Sequence, residues 1–227
     1  MKQRKLGGKI AAFLFIALVL GAASYGYLSQ TAHLSKKPDS DEKPIDAALL
    51  AVKPNDIILG DNNAIATLVE YSSLSCPHCA HFHTELLPSL QKEFITPGKL
   101  KLVLRHFPLN EPALKAAEIV ECAGKQGLKR ENFIKVFFDM QQQWAFGDDY
   151  LKNLKQISLV GGVDSATFDS CLADKTLEAH LLESRQTGEK LGVDATPYFF
   201  LNGKKYDGEL SIEGFRKALD ESAPMAK

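Results

Sequence analysis

Two cysteines separated by two residues, in Cys76-Pro77-His78-Cys79, are the stretch of this sequence richest in chemistry. Sulfur is nucleophilic as the thiolate, and two thiols this close can form a disulfide and open it again. At a helix start, Cα atoms three apart lie within bridging distance, so little backbone movement is needed. The ring is small, so closing it removes little chain entropy and the bond is easily reduced. Pro77, with no N–H and a preset φ, suits the first helical turn and puts Cys76 at the helix N-terminus. There the free N–H groups and the positive end of the helix dipole favour a Cys76 thiolate, aided by His78 when it is cationic. A stabilised thiolate stabilises the reduced pair and makes the disulfide a stronger oxidant. Cys79, one turn further in, is then the resolving partner. The competing chemistry for this spacing is half of a zinc site, with His81 and His83 nearby. Structural zinc takes four ligands, and Cys122 and Cys171 do not supply a second close pair. His81 and His83, two apart on one helix, point to nearly opposite faces. No metal is therefore expected.

The elements that must position this stretch can be read from periodicity. Residues 65–71 alternate as a strand, with Ile65, Thr67, Val69 and Tyr71 on one face and Ala66, Leu68 and Glu70 on the other. Phe82, Leu86, Leu87, Leu90 and Phe94 recur at helical steps over 77–94. Leu102, Val103, Leu104 and Phe107 then predict a strand buried on both faces, and strand–helix–strand makes a parallel crossover the default. A short strand at 57–59 and the turn Gly60-Asp61-Asn62-Asn63 precede this unit. Between 111 and 191 only helical patterns are found. One carries Ala113, Ala116, Ala117 and Val120, and one runs from Phe133 through Val136, Phe137 and Met140 to Trp144. Leu151, Leu154 and Ile157 mark a third. Asp164 or Ser165 caps a fourth, and Leu177, Leu181, Ser184, Gly188 and Leu191 share a face of the fifth. Strand 198–201, the hairpin dipeptide Asn202-Gly203, strand 204–206 and a last helix opened by Ser211 complete the chain. The fold class is α/β: a βαβ half and a ββα half share one mixed sheet in the thioredoxin arrangement, with a helical block inserted at 111–191.

Composition bounds the setting. The chain has 227 residues, 45% hydrophobic and 24% charged, with net charge −1, which gives no indication of nucleic-acid binding. Lys2, Arg4, Lys5 and Lys9 precede a 14-residue uncharged run, Ile10 to Ala23. At helical rise that run spans roughly 21 Å, short of a bilayer core, which fits a cleaved signal peptide with small residues from Gly21 to Ser24. Extended through Tyr25, Tyr27 and Leu28 it becomes an uncleaved anchor. Either way the rest of the chain is exported to where disulfides persist. The domains expected are a signal peptide or anchor at 1–28, a linker and docking segment at 29–50, and the catalytic domain at 51–227.

The run from Glu70 through the cysteine motif to Phe82-His83, with Ala195-Thr196-Pro197 before a strand, resembles the DsbA family of thiol–disulfide oxidoreductases. The similarity covers about residues 57–223. It implies a periplasmic enzyme that donates its own disulfide to reduced exported polypeptides, needs no cofactor beyond the Cys76–Cys79 pair, and is reoxidised by a membrane partner of DsbB type. Pro197 matches the family's cis-proline, and Thr196 before it presents backbone to substrate. Threonine at that place is similar to branches other than the best-known enterobacterial one, and to isomerases. Glu70 matches a buried acid that passes protons to and from the inner cysteine; the alternative for this residue type is an exposed edge-strand carboxylate. His83 is expected to pack at the helix–sheet boundary. Cys122 and Cys171 match a second disulfide of alphaproteobacterial relatives, with two buried free thiols as the alternative. A monomer is expected, since the roughly 25 residues between the expected anchor and the fold are too few for the dimerisation domain that family isomerases carry. An isomerase or reductase, and a non-enzymatic metal-binding module, are the readings that compete.

Overall fold

The computed structural model of the chain describes residues 45–222. The expected signal or anchor segment at 1–28, and the linker up to residue 44, lie outside them. Strand β2 (Ala66–Ser72) is the middle of a five-stranded sheet ordered β1-β3-β2-β4-β5. It pairs in parallel with β3 (Leu100–His106) and antiparallel with β4 (Tyr198–Leu201). The short strands β1 (Ile57–Leu59) and β5 (Lys204–Lys205) close the two edges, both antiparallel. Alternation along β2 feeds two buried layers: Ala66 and Leu68 enter one apolar cluster, Val69 and Tyr71 the other. β3 has a strand on each side and a layer on each face, which is why Leu100, Leu102, Val103 and Leu104 form an almost unbroken apolar run. This is the thioredoxin arrangement that the order of elements predicts.

The crossover helix α2 (77–95) is helical throughout but irregular. α-Helical turns at Pro77–His81 and Leu87–Leu90 alternate with π-helical turns at Phe82–Leu86 and Gln91–Ile95. Pro88 lacks an N–H to give to the carbonyl four residues back, so the upstream turn widens and Leu87 N–H bonds to Phe82 O instead. Phe82, Leu87, Leu90 and Phe94 are buried against the sheet all the same.

The insertion comprises α3 (Glu111–Lys125), α4 (Arg130–Asp139), α5 (Gln141–Trp144), α6 (Tyr150–Val160), α7 (Ser165–Ala173) and α8 (Lys175–Lys190). Asn110, Asp164 and Asp174 cap α3, α7 and α8 with their side chains. The apolar stripe from Phe133 to Trp144 predicts one continuous helix, but the chain breaks at Met140. Trp144 turns back so that its Nε1–H donates to Phe137 O at 2.9 Å, which satisfies a carbonyl at the end of α4. Val136 and Leu151, expected on buried faces, are exposed.

α8 lies across the second sheet face, where Gly188 sits on Tyr71 and Phe107; a Cβ there would come within 3.0 Å of both rings. On the same layer, α1 (Ala47–Leu50) inserts Leu50. Arg105 ties that segment down, donating to Leu49 O, Ala51 O and the Asp56 carboxylate from a buried position. Asn202 and Gly203 take positive φ in the hairpin between β4 and β5, as that dipeptide predicts. α9 (Ile212–Ser222) packs Phe215 on the first layer. Among the described residues no helix is long and apolar enough to cross a membrane.

Candidate active site

β2 ends at Ser72, and four residues later Cys76 stands as the N-cap of α2, with Pro77 at the first helical position. The Cys76 carbonyl accepts from Ala80 N–H at 3.1 Å, and Cys76 N–H donates to Ser73 O at 3.0 Å. The intervening loop is tied to the start of the insertion. Ser75 Oγ donates to Asn110 Oδ1, and Leu109 N–H donates to Ser73 Oγ. Gln141 of α5, buried, donates from Nε2 to Leu74 O at 2.8 Å and to Cys76 O at 3.0 Å. From the other side comes the loop before β4, whose Thr196–Pro197 peptide bond is cis. Thr196 O lies 3.2 Å from Cys76 Sγ.

The two thiols differ sharply. The Cys76 thiol is lowered to about 5 by a hydrogen bond from the Cys79 thiol above all; Thr196 and the backbone N–H groups of Cys79 and His78 add to it, against an opposing cost of burial. Two units below neutrality, it is about 99% thiolate at pH 7. Cys79 is pushed strongly upward, first by burial, then by its hydrogen bond to the Cys76 sulfur and by the negative charges of Glu70 and Cys76; the Ser72 hydroxyl pulls weakly the other way. One sulfur is therefore the ionised nucleophile and the other holds its proton. His78 was expected to help as a cation. It is exposed, and what it gives the sulfur is its backbone N–H.

Beneath Cys79, Glu70 is completely buried in the middle of β2. The alternative of an exposed edge-strand carboxylate is ruled out, because β2 is the central strand. His83 Nε2–H donates to both Glu70 oxygens, at 3.0 and 3.1 Å, and the imidazole stacks on Phe138 of α4 at 4.3 Å. His83 was expected merely to pack, and its pairing with Glu70 is a contact the residue pattern did not reveal. The signal available was its position four residues after Cys79, one turn along on the same helix face. Gln141 gave no signal in sequence. Cys122 and Cys171 form a disulfide joining α3 to α7, with Cα atoms 5.8 Å apart, and stand outside this site.

Comparison with known proteins meets this geometry at every scale. A family model described as thioredoxin matches residues 52–221. A Rickettsia felis relative named as a protein-disulfide oxidoreductase is 30% identical over 88% of this chain and 73% of its own length. The crystal structure of alpha-DsbA1 from Wolbachia pipientis superposes with a TM-score of 0.69 at 31% identity, covering 77% of this chain and 94% of that one.

The chain belongs to the DsbA family of thiol–disulfide oxidoreductases.

The likeness extends in fold alone to BdbD of Bacillus subtilis, at 20% identity and a TM-score of 0.65. For a DsbA-family enzyme the redox group is the cysteine pair itself. Among the described residues, no three His, Cys, Asp or Glu side chains are grouped as metal ligands.

Proposed function

We propose that this enzyme works as a periplasmic oxidase, passing the Cys76–Cys79 disulfide to reduced exported polypeptides. The observation that carries the reading is the split between the two thiols: Cys76 lowered to about 5, Cys79 raised. A leaving group of low pKa departs readily, and its stability as a thiolate makes the disulfide oxidising. In the first step a substrate thiolate attacks Cys76 Sγ. The Cys76–Cys79 bond breaks, and its electron pair goes to Cys79, which takes up a proton. In the second step another substrate thiolate attacks the substrate sulfur of the mixed disulfide, and Cys76 leaves as the thiolate. The substrate is oxidised by two electrons and the cysteine pair reduced by two.

Glu70, held by His83 under Cys79, is the acid we assign to supply and remove the Cys79 proton. Thr196 and Pro197 form the edge against which a substrate chain pairs in extended form. Reoxidation falls to a membrane partner of DsbB type, which runs the same exchange in reverse. The protein acts as a monomer, exported by its N-terminal segment and either released or tethered by it.

The equilibrium of the Cys76/Cys79 pair with glutathione tests this reading. An oxidase equilibrates as a disulfide that glutathione reduces readily. A pair that stays oxidised against excess reduced glutathione would instead support the isomerase or reductase reading, which Thr196 before the cis-proline favours.

A further inference from the structure

We propose that Gln141 is a positioning residue through which the helical insertion sets the reactivity of Cys76. Its place explains the break in the α4–α5 stripe: ending α4 at Asp139 and restarting at Gln141 aims this side chain at the active-site loop. Both of its partners, Leu74 O and Cys76 O, are carbonyls, so the group facing them is the donor nitrogen, and both of its hydrogens are used. The two carbonyls bracket Ser75 and fix the peptide planes leading into the N-cap. The Cys76 carbonyl already receives Ala80 N–H, so Gln141 takes its second lone pair.

Two effects on the sulfur follow. Holding Cys76 at φ −82° and ψ 121° fixes where Sγ sits at the N-terminus of α2, 3.2 Å from Thr196 O. The amide also offsets the negative end of a carbonyl two bonds from the Cys76 side chain. The neighbouring Gln142 and Gln143 are exposed and have no such role. The proposal holds for either direction of exchange.

The test is Gln141→Leu, which keeps the size and removes the donors, with Gln142→Leu as the control. The readouts are thiolate absorbance against pH and the equilibrium with glutathione. In Gln141→Leu the Cys76 midpoint is expected to rise by about half to one unit, shifting the equilibrium about three- to tenfold toward the disulfide. Gln142→Leu is expected to match the parent protein. A glutamine of merely structural value would lower the melting temperature of both redox states and leave midpoint and equilibrium unmoved, which overturns the proposal. If Gln141→Leu does not fold, the parent protein decides by NMR. The Gln141 side-chain amide protons are expected to exchange at least about tenfold more slowly than those of a free glutamine. They are also expected to shift when the pair is oxidised. Free-rate exchange with unchanged shifts overturns the proposal.

Discussion

The chain holds two cysteine pairs built from the same atoms for opposite purposes. Cys76 and Cys79 lie three apart, and every group that acts on them is polar and placed with care: Thr196, the helix N–H groups, Ser72 and Glu70. Cys122 and Cys171 lie 49 apart and join two helices, with Cys171 sunk in the core. A short ring constrains almost nothing, so the energy of the first pair is set by its electrostatics. A long loop constrains a great deal, so the second contributes by restricting the unfolded chain. Spacing decides which pair can act as a switch and which as a staple.

Four substitutions or conditions test that contrast. Cys76→Ser should show the largest effect, a loss of exchange of at least about 1,000-fold in an insulin-reduction assay. Replacing both Cys122 and Cys171 by Ala should do the reverse. Exchange should stay within about twofold, while denaturant unfolding reports a loss approaching ~4 kcal/mol in the chain-entropy model. The Lys125–Asp174 ion pair spans the same two helices but is largely exposed and screened by solvent, so it cannot replace the bond. Loss of exchange in the double variant would break the contrast.

His83→Phe should strand the Glu70 carboxylate in the core, at a cost of about 3 kcal/mol in chemical denaturation. It should also slow the steps in which Cys79 gains or loses its proton. His83→Lys should recover most of both.

The smallest effect is a dependence on pH. The Cys76 thiol is depressed in the folded reduced protein, from an ordinary value near 9 to about 5. It therefore adds nothing to stability below about pH 5 and progressively more as pH rises toward 9. Relative to the oxidised form, the reduced form should gain about 2 kcal/mol between pH 5 and pH 7. Parallel unfolding curves of the two forms across that range would break the assignment of the thiolate to Cys76.

Much of this was legible because it rests on short-range order. The cysteine spacing with Pro77, the alternation over 66–71, the Asn202-Gly203 turn and the Asp164 cap all act within a few residues. The rest depends on approaches between distant segments. Glu70 falls on the same strand face as Ala66 and Leu68, but whether that face is buried depends on strand order, which β4 completes from 130 residues away. Gln141 is one of three consecutive glutamines, and nothing local distinguishes the one that reaches Cys76. The helix break at Met140 hides under an apolar stripe that continues across it, because Trp144 returns to Phe137 through its indole N–H. Arg105 in a strand gives no hint that it grips Leu49 and Ala51.

The long reach from Cys76 to Thr196 has a consequence for the chain as it is made. Synthesis runs from the N-terminus, so Cys76 and Cys79 emerge well before Cys122, Cys171 and Thr196. Until the loop before β4 arrives, Cys76 lacks one of the contacts that ionise it and behaves more like an ordinary thiol. The set of contacts on Cys76 is completed only with the last strands, after the partners of the insertion disulfide are both present.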